Sequence, residues 1–86
     1  MIKRQLIIKN RYGLHARPAA QFVQIASQYN AEIRIRKEEI EVNGKSIMGI
    51  LMLAVEPDNE VELIVSGKDE KAAVEALSEF LLNTED

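Results

Sequence analysis

Between Ala31 and Arg36 apolar and charged residues alternate without a break, Ala31-Glu32-Ile33-Arg34-Ile35-Arg36. Side chains along a strand point to opposite faces in turn, so this segment calls for a sheet with one buried and one wet face. The rest of the chain must supply the cover. Ala19, Phe22, Val23 and Ala26 recur at three and four within a helix expected from Ala16 to about Gln28. Pro18 falls in its first turn, where a missing N–H costs nothing. Ala73, Val74, Leu77, Phe80 and Leu81 share one face of a second amphipathic helix, Asp69 to about Leu82, with Asp69 a candidate cap.

Three further strands fit the remaining segments. Ile2–Ile8 is apolar and β-branched and stops at Lys9-Asn10, ahead of a break at Gly13. Lys37-Glu38-Glu39 reads as a turn, after which Ile40 and Val42 alternate again. Val61–Val65 forms the last strand, closed by Gly67. Ile47–Val55 is almost wholly apolar, and periodicity alone does not separate a buried strand from a short helix there. A helix over Ile47–Leu53 is favoured, because Ser46 can cap it and Met and Leu suit helices. Glu56-Pro57-Asp58-Asn59 is a turn cluster. The order β-α-β-β-α-β-α, with four one-sided strands and three covering helices, makes a two-layer α+β sandwich. That order alone is compatible with unrelated functions.

Composition excludes several of them. With 86 residues the chain forms a single domain, 1–86, that can hold one core but no large, deep cleft. Zero cysteine rules out disulfides, a thiolate nucleophile and zinc-ribbon or iron–sulfur ligands, and one histidine builds no His-rich metal site. No metal or cofactor is expected. A net charge of −3 argues against binding nucleic acid by neutralising phosphates. The apolar run Leu6-Ile7-Ile8 is far too short for a signal-peptide core or a membrane span, so a soluble cytoplasmic protein without membrane insertion is expected.

Chemistry concentrates at His15, the one side chain whose ordinary titration falls near neutral pH. It lies where a loop meets a predicted helix N-terminus. A neutral imidazole is a nucleophile that can accept a phosphoryl group, the N–H groups of a first helical turn favour an anion, and Arg17 can pair with phosphate oxygens. Taken singly, Gly13, Arg17 and Pro18 are also an ordinary turn, a surface charge and a helix starter. Their arrangement around the only histidine is what points to function.

Gly13-Leu14-His15-Ala16-Arg17-Pro18-Ala19-Ala20 resembles the active-site signature of the HPr family, the histidine phosphocarriers of the phosphoenolpyruvate-dependent phosphotransferase system. Asn10 and the spacing before Gly13 fit as well. Gly44-Lys45-Ser46-Ile47-Met48-Gly49-Ile50 resembles the regulatory serine region of HPr proteins from Gram-positive and several other bacteria. Length and element order also match, so the resemblance covers essentially the whole chain. It implies an open-faced sandwich with a four-stranded antiparallel sheet. It implies a relay rather than a turnover enzyme: His15 takes a phosphoryl group on Nδ1 from phosphoenolpyruvate by way of enzyme I and gives it to an enzyme IIA domain of a sugar permease. Arg17 and the backbone amides of Ala16 and Arg17 would steady the phosphoryl group. A carrier of a regulatory or nitrogen-related phosphotransferase chain without sugar transport is the alternative.

Ser46 has two readings that the sequence leaves open: a helix cap, or a site phosphorylated by an HPr kinase with recruitment of a transcriptional regulator. Along the short helix Ile50 and Leu53 would face the sheet, leaving Ile47, Met48, Leu51 and Met52 as an outward strip. By resemblance this strip, with Ala20, Gln21, Gln24 and Ser27 of the first helix, contacts enzyme I and enzyme IIA. A carrier must free the same face for successive partners, so a monomer is expected. Arg34 and Arg36 read as a solvated strand face, and Tyr12 either flanks the histidine loop or, the favoured reading, shields the strand edge. Gly44-Lys45-Ser46 is no P-loop tail, since Glu39 stands where the motif needs glycine. Pro57-Asp58-Asn59 occupies a turn where many HPr relatives carry glycine.

Overall fold

A computed structural model describes residues 1–83. The elements run β1 (Ile2–Ile7), α1 (Ala16–Ala26), β2 (Glu32–Lys37), β3 (Ile40–Asn43), α2 (Ile47–Met52), β4 (Glu60–Ser66) and α3 (Glu70–Asn83). The four strands form one sheet in the order β1-β4-β2-β3, and every neighbouring pair is antiparallel. All three helices contribute buried side chains to the core on one side of it. The expected open-faced sandwich is the observed fold.

Alternation builds the inner layer. Leu6 and Ile8 of the β1 segment, Ile33 and Ile35 of β2, and Val61, Leu63 and Val65 of β4 are buried; apart from Ile64, itself buried, the residues interleaved with them are polar or exposed. From the helices, Ala19, Phe22 and Ala26 of α1, Ile50 of α2, and Ala73, Val74, Leu77 and Leu81 of α3 close over them. Truncating a fully buried aromatic such as Phe22 to alanine typically costs about 3–5 kcal/mol. The outer face is wet. There Arg34 pairs diagonally across the β2–β3 ladder with Glu41, and Arg36 Nη2 lies 2.9 Å from Glu62 Oε1 of its directly opposed β4 partner.

Several expectations shift in detail. α1 ends at Ala26 rather than Gln28, because the N–H groups of Gln28 and Tyr29 reach back only three residues, to Ile25 and Ala26, and tighten the last turn. The β2–β3 turn is Glu38-Glu39 alone, with Lys37 paired to Ile40 and Glu38 at φ 56°, the positive φ that a two-residue hairpin asks for. Ile40 stays exposed while Val42 packs against the core. Asp69 gives its carboxylate to another element: its two oxygens accept from the backbone N–H groups of Asn30 and Ala31, each at 2.8 Å. The entry to β2 is thus tied to the start of α3. Arg4 turns towards the helices, with Nη1 3.4 Å from the hydroxyl of buried Ser78.

Candidate functional site

The loop that carries His15 is fixed from below. Gly13 has φ +70°, and a Cβ there would stand 2.1 Å from the Val55 carbonyl oxygen and 2.8 Å from Glu56 Cα. Only glycine allows so close an approach. The next residue, Leu14, donates its N–H to that same carbonyl at 3.0 Å and buries its side chain. Asn10, also buried, accepts the Gly13 N–H through its carbonyl at 3.2 Å. The chain therefore reaches His15 from two anchored residues, Gly13 and Leu14.

His15 is the N-cap residue of α1, with extended backbone (φ −85°, ψ −169°) and a carbonyl that accepts the Ala19 N–H at 3.0 Å. Its side chain makes no capping hydrogen bond. The N–H groups of Ala16 and Arg17 lie in the first turn, where the helix itself provides no acceptor, and Pro18 brings none. Ala16 and Arg17 are exposed, whereas Pro18 is buried and fixes the helix start. Of the two ring nitrogens of His15, Nε2 is buried and has no hydrogen-bond partner. The ring is steadied by Tyr12, which meets it edge-on with centroids 5.8 Å apart and planes at 82°. The Arg11 guanidinium carbon in turn lies 5.9 Å from the Tyr12 ring centroid.

Tyr12 is thus a neighbour of the histidine and not a shield for the strand edge. Its signal was its position, three residues before the only histidine, but an exposed aromatic in a loop has no periodicity to orient it.

α2 abuts the same loop, since Val55, just past its C-terminus, holds Leu14. A helix of six residues is not stable by itself and depends on its ends. Ser46 is the N-cap, its hydroxyl accepting the Gly49 N–H at 3.0 Å. At the other end Lys37 Nζ donates to the carbonyls of Leu53 (3.2 Å) and Ala54 (2.9 Å), a cation at the negative end of the dipole. Ala54 itself sits at φ 51°, the left-handed conformation in which helices commonly stop. Sequence reasoning missed Lys37 because strand β2 brings it there from sixteen residues away.

The outward strip divides. Ile47, Met48 and Met52 are exposed, Leu51 is half-buried against the core, and Ile50 and Leu53 are buried. On α1, Gln24 is exposed, Ala20 and Gln21 are half-buried, and Ser27 is the exposed C-cap. A shallow groove between α1 and α3, lined in part by Gln21, Ile25, Tyr29 and Phe80, does not include His15. Among the described residues no cluster of His, Asp and Glu is arranged to hold a metal ion.

This geometry is an imidazole at a helix N-terminus, with Arg17 two residues on and Arg11 over the neighbouring Tyr12 ring. Residues 2–83 match the protein family described as "PTS HPr component phosphorylation site". The chain belongs to the HPr family. HPr proteins are phosphocarriers of the phosphotransferase system, and three relatives show how near they stand. The phosphocarrier protein HPr of Treponema pallidum is 42% identical, over 96% of this chain and 94% of its own. The HPr-like protein Crh of Halalkalibacterium halodurans is 46% identical, over 94% of this chain and 96% of its own. A crystal structure of HPr from Thermoanaerobacter tengcongensis superposes with a TM-score of 0.92 at 46% identity, covering 95% of this chain and 92% of that one. The HPr of that organism has also been crystallised as a dimer, which superposes at 0.76 over 95% of this chain and 94% of that one.

Among the described residues no helix is long and apolar enough to cross a membrane.

Proposed function

We propose that this HPr-family chain accepts a phosphoryl group on Nδ1 of His15 from phosphoenolpyruvate by way of enzyme I, and passes it to enzyme IIA domains in sugar uptake. The observation that supports this most is the inequality of the two ring nitrogens. Nε2 is buried and partnerless, which leaves Nδ1 as the nitrogen for an incoming group. In the reactive tautomer the proton sits on Nε2 and the lone pair on Nδ1. That lone pair attacks phosphorus, the bond to the donor breaks, and its electrons return to the donor. The new N–P bond leaves the phosphoryl oxygens beside the first-turn amides of Ala16 and Arg17 and near the Arg17 side chain. An exposed site suits a relay, since the group must be handed on and not enclosed. The chain acts as a carrier and not as a turnover enzyme, and in monomeric form, with Ala20, Gln21, Gln24, Ser27, Ile47, Met48, Leu51 and Met52 as its docking face.

Intact mass after incubation with phosphoenolpyruvate, Mg²⁺ and purified enzyme I tests the reading, with His15→Ala alongside. One acid-labile phosphate on the wild type, absent from the variant and removed by an enzyme IIA domain, is the expected result. An enzyme I that phosphorylates another HPr but leaves this chain unmodified would overturn it.

A second reading concerns Ser46, and the likeness to Bacillus subtilis Crh, described as a catabolite repression HPr (38% identical, TM-score 0.71), favours a regulatory role. In this reading the serine is also phosphorylated from ATP by an HPr kinase, and the modified chain engages a transcriptional regulator. The phosphate would sit at the N-terminus of α2, adding a charge of about −2 beside the docking face. Incubation with ATP and an HPr kinase should label the wild type and not Ser46→Ala. Equal labelling of both would remove this reading.

A further inference from the structure

All the sulfur in this protein is thioether sulfur: it has three methionines and no cysteine. None of the three is in the core, which is built from Ile, Leu, Val, Ala and Phe. Met1, Met48 and Met52 are instead 71%, 68% and 74% exposed. Met48 and Met52 are one helical turn apart on α2, so they stand on one face, next to exposed Ile47. Three residues past Met52, the Val55 carbonyl holds Leu14 of the histidine loop, so α2 leads directly into that loop's anchor.

We propose that Met48 and Met52 form an oxidative modification site, whose substrate is a hydroperoxide and whose product weakens docking without disturbing the fold. The proposal rests on the carrier reading above. A sulfur lone pair attacks the terminal peroxide oxygen, the S–O bond forms and the O–O bond breaks. Sulfur is oxidised by two electrons, and the departing alkoxide (hydroxide when the peroxide is hydrogen peroxide) takes the proton from the new S–OH group and leaves as an alcohol or water. Each thioether becomes a polar, chiral sulfoxide, reversible by methionine sulfoxide reductases.

The consequence follows from where the two side chains point. A thioether adapts to varied apolar surfaces, and a sulfoxide brought into the same contact must shed its water without an assured partner. Ile50 and Leu53 hold α2 down from its other side, and the caps at Ser46 and Lys37 use no sulfur. Binding is therefore penalised while the folded structure is left as it was.

The test treats the wild type with dilute hydrogen peroxide, maps the oxygens by peptide mass, and measures phosphoryl transfer from enzyme I. The expected result is one oxygen on each of Met48 and Met52, a KM for transfer raised about tenfold or more, and an unchanged Tm. A methionine sulfoxide reductase pair should restore KM. Met48→Leu/Met52→Leu, compared with its own untreated sample, should show no peroxide effect although Met1 is still oxidised. Unchanged KM in the doubly oxidised chain overturns the proposal, as does a peroxide effect that persists in the double variant. If the untreated wild type accepts no phosphoryl group from an active enzyme I, the carrier reading itself has failed and the proposal falls with it.

Discussion

Gly13→Ala is the substitution that the structure condemns most directly. The new methyl carbon would lie 2.1 Å from the Val55 carbonyl oxygen, over an ångström inside normal contact, and 2.8 Å from Glu56 Cα, with φ at +70°. Both obstacles are backbone, so no side-chain rotation relieves them. The left-handed conformation costs a non-glycine residue about 1–2 kcal/mol. Opening the gap moves the carbonyl that accepts the Leu14 N–H, and that bond contributes about another 1 kcal/mol. Partial exposure of Leu14 adds about 1 kcal/mol more. The expected loss is about 3–4 kcal/mol, a large fraction of the ordinary stability of a small domain. Urea unfolding followed by far-UV circular dichroism measures it. Phosphorylation by enzyme I, assayed where the variant is still folded, should also slow, because His15 directly follows Leu14, whose hydrogen bond is displaced. A loss below about 1 kcal/mol would show that the 55–56 segment yields easily and that the loop is not anchored as argued.

Three further outcomes can be checked. Ser46→Ala should cost about 1 kcal/mol in chemical denaturation, because it removes the acceptor of the Gly49 N–H from a helix of only six residues; no loss would mean that the core packing of α2 and its Lys37 cap hold it without the serine. Tyr12→Ala should leave stability nearly unchanged, since Tyr12 is 65% exposed. It should nevertheless slow phosphorylation of His15, by an amount set by an aromatic pair energy of about 0.5–1.5 kcal/mol, with Tyr12→Phe retaining the wild-type rate. Glu70 is held below the usual carboxylate range, first by the Gly67 N–H it accepts and then by the N-terminal ammonium. A carboxylate depressed in the folded state contributes stability above its unfolded pKa and loses it as pH falls through the lower folded value. Stability of the wild type should therefore fall on acidification across and below the ordinary glutamate range more steeply than that of Glu70→Gln. Parallel pH curves for the two would count against the ion pair.

Much of this molecule is legible from local pattern. The alternation of Ile33 and Ile35 with Arg34 and Arg36, and the spacing of Ala19, Phe22 and Ala26, define which face is inside before any partner is known. Ser46 is legible for the same reason, since a cap serves its own helix three residues away. What escaped depends on partners distant in the chain. Asp69 looks like the cap of α3, yet its carboxylate serves Asn30 and Ala31. Lys37 looks like the first residue of a turn, yet it caps α2. Tyr12 could have lain against the sheet or the histidine, and only the fold of the loop decides. At the candidate site, the residues around His15 can be found from the motif, whereas the burial of Nε2 cannot, because it depends on how the ring is set into the surrounding structure.

The strand order has a consequence for how the protein comes into being. β1 is the first strand made, and its only ladder partner is β4, with Ile2 opposite Val65. On the ribosome β1 must wait, unpaired, for β4, whose first residue, Glu60, follows Ile7 by 53 residues. β2 and β3, by contrast, can close their hairpin as soon as they emerge. Folding that depends on such distant pairings is slow compared with local hairpin and helix formation. The histidine loop is subject to the same delay, because its anchor is the carbonyl of Val55. A nascent chain therefore displays the complete Gly13–Pro18 motif well before that motif has its folded shape, and partners that read the shape are blind to it until Val55 has emerged and packed.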